Sequence, residues 1–145
     1  MALPSCGDIS SVAYSHFERI GSEGWDPADI LIYEPWPADS AEASAHRYDI
    51  ELVVRYSSRR RIKDLPLSIV REYENGRQEA DTVVLRLFDS GGSPAGDGHY
   101  GVYELPSKVE SGLRLCEGYS VSVTPLAERN ESQGILSVGL LMLRR

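Results

Sequence analysis

The chain has 145 residues, 41% of them hydrophobic and 26% charged, a balance that fits one globular domain with an ordinary core. Its formal net charge of -7 and pI of about 4.9 argue against nucleic acid as a partner, because phosphate-backbone binding depends on a basic stripe that releases counterions. No apolar run reaches the roughly 20 residues of a membrane-spanning helix.

In chain order, the first feature is Cys6, with Leu3 three residues before it and Ser5 directly before it. This spacing resembles the lipobox that is cleaved and acylated in bacterial lipoproteins, and a hydrophobic signal segment is expected upstream of the printed sequence. Residues 1–10 then read as a lipid-anchor tether and residues 11–145 as the folded domain. An unpaired tail cysteine and a disulfide with Cys116 are the other readings of Cys6. Cys116 itself, in the run Leu113 to Gly118, reads as a small buried apolar side chain.

Beyond the tether, apolar and polar residues alternate over short stretches, the period of a strand with one buried face. Val12, Tyr14, His16, Glu18 and Ile20 share a face of the first expected strand, and Ile30 to Tyr33 makes the second before Pro35 and Pro37. The acidic stretch from Pro37 to Ala45 reads as a loop, with one short helical turn as the alternative. Tyr48, Ile50, Leu52, Val54 and Tyr56 form the clearest buried stripe. The basic group Arg59, Arg60, Arg61 and Lys63 reads as a solvated turn. Leu67 to Tyr73, the turn Asn75-Gly76 and Thr82 to Phe88 predict a hairpin. A glycine-rich loop from Ser90 to Gly98 precedes strands at Tyr100 to Leu105, Tyr119 to Thr124 and Ile135 to Leu143. About eight strands and no amphipathic helix predict an all-β fold: a single-domain antiparallel β-sandwich, jelly-roll or immunoglobulin-like.

No nucleophile elbow, active-site cysteine sequence or paired zinc-ligand spacing is present. His16, His46 and His99 are scattered; Asp97 with His99 is the one local pair that could share a divalent ion, against a plain turn in which Asp97 caps backbone amides. Gly96, Gly98 and Gly101 spell a dinucleotide fingerprint, yet no helix is expected after them, so they read as a tight bend before a strand. Trp25, Tyr33, Trp36, Tyr100 and Tyr103 could stack on sugar rings or fill the core, and core packing is the simpler account.

Trp25-Asp26, Tyr48-Asp49 leading to Val54-Arg55-Tyr56, Asp81-Thr82-Val83, the run GDGHYGVYE over 96–104, Gly118-Tyr119 and the run GILSVGL over 134–140 together resemble the GldH family of gliding-motility lipoproteins. The resemblance runs through nearly the whole chain. It departs at Leu126 to Arg129, where a Met-Arg pair is usual, and at Ser137, where an acidic residue is common. The resemblance implies a lipid-anchored envelope protein facing the periplasm, associated with gliding and type IX secretion, with no catalytic residues and no cofactor. Its partners would be other envelope proteins, met through an exposed sheet edge or loop. The expected contact surface is Trp25, Trp36, Asp97, His99 and Tyr100, with lipidation at Cys6. Two other classes stay open: a carbohydrate-binding module that would gather Trp25, Trp36 or Tyr100 on one exposed face, and a metal-dependent hydrolase that would bring together two of Asp97, His99, His16 and His46.

Overall fold

The computed structural model describes residues 11–145 apart from 60, 61 and 63. Its strands are β1 (Val12–Arg19), β2 (Leu31–Tyr33), β3 (Tyr48–Ser57), β4 (Asp64–Glu72), β5 (Gln78–Arg86), β6 (Asp97–His99), β7 (Val102–Leu113), β8 (Ser120–Pro125) and β9 (Ile135–Arg144). They form two antiparallel sheets, one ordered β1-β9-β3-β7-β6 and the other β2-β8-β4-β5. The pairing is nested: β1 with β9, β2 with β8, β3 with β7 and β4 with β5. A chain folded back on itself in this way and wrapped into two sheets is a jelly roll, which decides between the two expected sandwiches.

The predicted stripe on β3 is the center of the core: Tyr48, Ile50, Leu52, Val54 and Tyr56 are all fully buried. Strand register sets Val138 beside Val54, Leu140 beside Leu52 and Met142 beside Ile50. Leu65, Leu67 and Ile69 of β4 and Val121 and Val123 of β8 are buried in the same cluster, from the other sheet. The buried tyrosines satisfy their hydroxyls: Tyr33 donates to the Val138 carbonyl at 2.6 Å and Tyr56 to that of Leu87 at 2.7 Å.

The nine strands of the described residues agree with the expected eight or so, the additional one being β6, where part of the glycine-rich loop pairs. Three details differ. Tyr100 lies in a turn, and the strand after it runs on to Leu113. The stretch before β3 contains a 3-10 turn at Ser40–Ser44, stabilised by the Asp39 carboxylate accepting from Ala41 N and by Glu42 bridging to Arg144 at 2.8 Å. Finally, the far face of β1 also packs: Phe17 stands opposite Gly139, and its ring lies where a side chain on Gly139 would clash, at 2.3 Å from an added Cβ. That contact is the large neighbor for which a glycine in the last strand leaves room.

Proline placement follows the hydrogen-bond ladders. Leu126 N donates to Pro66 O at 2.9 Å, so Pro66 faces β8, and its missing N–H would point beyond the end of that strand at Pro125. Tyr73 N donates to Arg77 O at 2.7 Å at the head of the β4–β5 hairpin. Both bonds fix one alternation: odd-numbered residues of β5 bond to β4, and even-numbered ones turn their N–H and C=O groups away from it. On β7, Ser58 N donates to Gly101 O, and the same alternation turns Pro106 away from β3, toward a side where β6 has already ended.

Candidate functional site

The glycine-rich stretch is an edge hairpin, with Asp97 opposite Glu104 and His99 opposite Val102. An added Cβ on Gly96 would stand 2.3 Å from Glu104 O, and one on Gly98 2.0 Å from Val102 O, so these glycines serve backbone approach. Tyr100 and Gly101 both have positive φ, 56° and 79°, the pattern of a type I′ hairpin turn. Tyr100 is fully exposed at the tip, its ring edge-on to His99 at 6.2 Å. The run therefore leads from strand to strand, and the dinucleotide context is absent from it.

Of the expected contact residues, Asp97, His99 and Tyr100 come together on this hairpin and are exposed. Trp36 does not join them; it is half-buried and borders a hollow of about 350 Å³ with Glu34, Glu117 and Tyr119. Trp25 leaves the surface altogether, at 1% exposure. Its indole N–H donates to Asp29 O at 2.8 Å, and its backbone N–H donates to the Ser132 hydroxyl at 2.7 Å. This corrects the expected surface, and it removes one ring from the sugar-stacking alternative. Cys6 lies outside the described residues, as do Arg60, Arg61 and Lys63. Cys116 is free and half-buried against the core.

The histidines do not converge. His16 on β1 and His99 on β6 occupy opposite edges of one sheet, four strand spacings or about 19 Å apart. His16 pairs with Glu18 at 2.5 Å, and His46 packs edge-on to Tyr48. No group of three or more potential metal ligands occurs among the described residues.

One polar cluster lies between the sheets. A bulge in β7 lets Glu110 share a face with Ile50, where it is 11% exposed. Its carboxylate accepts from the hydroxyls of Tyr73 and Tyr119 and lies 3.4 Å from Arg71, which also pairs with Asp81 at 2.6 Å. Burial, followed by the Glu110 charge, pushes the Tyr119 phenol well above its ordinary 10.0. Burial and the hydrogen bond to Glu110 do the same to Tyr73. Every charge in this group has a partner within it, so it reads as a clamp between β4, β7 and β8.

Sequence reasoning missed a hollow of about 990 Å³ on the outer face of the four-stranded sheet. Its apolar lining is Ile62, Pro66, Val84, Leu126 and Ala127, with Val84 53% and Leu126 54% exposed. The signal was present in Val83-Val84: two adjacent β-branched residues break the alternation, so one of them must face out.

No curated protein matches the chain. A family model described as GldH lipoprotein matches residues 12–142, from the first residue of β1 to within three residues of the end of the chain. The motifs that carried the resemblance lie throughout that jelly roll, on the β3 core stripe, the β6–β7 hairpin and the Gly139 strand, and the chain belongs to the GldH lipoprotein family.

Proposed function

We propose that this protein is a non-catalytic accessory subunit of gliding and type IX secretion machinery, anchored by acyl chains on Cys6 with its jelly roll facing the periplasm. The observation that carries this reading is the family match over essentially the whole sandwich. Two acyl chains are what stable anchoring takes, since one alone binds a bilayer only marginally. The exposed β6–β7 tip and the sheet edges are the surfaces through which the domain meets other envelope proteins. The test is metabolic lipid labelling and membrane fractionation of the protein expressed from its natural gene, beside Cys6→Ala. Labelling that disappears with Cys6 supports the anchor; an unlabelled wild type, or a labelled Cys6→Ala protein, contradicts it.

A further inference from the structure

β5 is the outer strand of its sheet, nine residues long and, among the described residues, paired to β4 alone. The N–H and C=O groups of Ala80, Thr82, Val84 and Arg86 face the open side, one residue every 6.8 Å or about twice the strand rise. Only another extended backbone meets such a row of alternating donors and acceptors in full. From Thr82 to Leu85 the edge carries no charge, proline or bulge. The side chains of the same even-numbered residues lie on the outer face, where Val84, Pro66 and Leu126 floor the 990 Å³ hollow.

We infer that β5 is a strand-addition site, at which an extended segment of a partner protein pairs with Ala80–Arg86 and lays an apolar side chain against the hollow. This deepens the proposed role and rests on its premise of protein contacts. A second copy of the chain fits the edge less well. It would join two bodies of net charge -7, and an antiparallel self-pair centered on Thr82 sets Asp81 against Val83 and Glu79 against Leu85.

A displayed library of random short peptides, selected on the folded domain, supplies the probe. Enriched peptides are expected to shift the amide resonances of Ala80, Thr82 and Val84. They should bind about tenfold more weakly after methylation of alternate backbone nitrogens, and about tenfold more weakly to Val84→Pro. That substitution deletes an outward donor and no bond to β4. Val84→Lys keeps the donor, places a charge at the hollow, and should weaken apolar peptides as well. The inference is overturned by failure to enrich any peptide, by peptides that bind elsewhere or ignore both variants, or by concentration-dependent dimerisation through β5. Lipid labelling reports separately: a labelled protein without a strand-addition site sinks this inference alone, and the reverse outcome sinks the anchor alone.

Discussion

Among the described residues, the open edges of β7 and β5 differ in how they are defended. Beyond its three residues of pairing with β6, β7 has no strand neighbor on that side among the described residues. There Pro106 withholds a donor, Lys108 adds a charge, and register shifts distort the strand opposite Tyr48–Glu51. Arg71 also caps the Val109 carbonyl, at 3.3 Å. On β5, Glu79 and Asp81 defend only the half next to the turn, and both are paired with Arg71. The half from Thr82 to Leu85 has no comparable device. Of these two edges, one is blocked along its length and the other only near its turn, which leaves Thr82 to Leu85 as the more open stretch.

The contrast can be broken by stripping the defended edge. Pro106→Val with Lys108→Val restores an outward donor and removes a charge, leaving the β3 ladder intact. The pair is expected to open a second strand-addition edge, so that the selected extended peptides shift the amide resonances of β7 as well as those of β5, while the unfolding free energy in urea changes by no more than about 1 kcal/mol. A variant in which β7 still binds none of these peptides removes the distinction between the edges.

A smaller effect sharpens the same comparison. The bulge of β7 is held by Glu110, and Tyr119→Phe removes one hydrogen bond to it at a cost of about 1 kcal/mol. The folded phenols of Tyr73 and Tyr119 titrate above 10.0, so the unfolded chain loses those protons first. Their contribution is therefore complete below pH 10.0 and is lost as pH rises beyond it. Denaturation between about pH 9 and 11 should show a steep alkaline decline in the wild type and a shallower one in Tyr119→Phe. Equal slopes would show that the Tyr119 phenol is not held protonated beside Glu110.

Much of the sandwich was legible because its strongest signal is local. The period of two on β3 names its buried face without reference to any other strand, and Asn75-Gly76 marks its hairpin unaided. Trp25 was misplaced for the opposite reason. Asp26, Pro27 and Asp29 make its neighborhood read as a surface loop, while its burial is set by Ser132, 107 residues away. Asp97 and Gly98 read as the end of a glycine-rich loop, and their pairing in β6 was hidden by glycines that also write a loop. The open edge of β5 could not be read at all. Edge status depends on strand order, and the direction of each N–H depends on register, both of which are fixed by distant pairings.

The most direct measurement is residue-resolved amide hydrogen exchange across β5 in the isolated domain. Fast exchange at Thr82 and Val84, alternating with slow exchange at Asp81, Val83 and Leu85, is the predicted result, because only the odd-numbered amides bond to β4. Uniform protection from Ala80 to Leu85 would mean that the chain covers this edge itself, and would contradict the account.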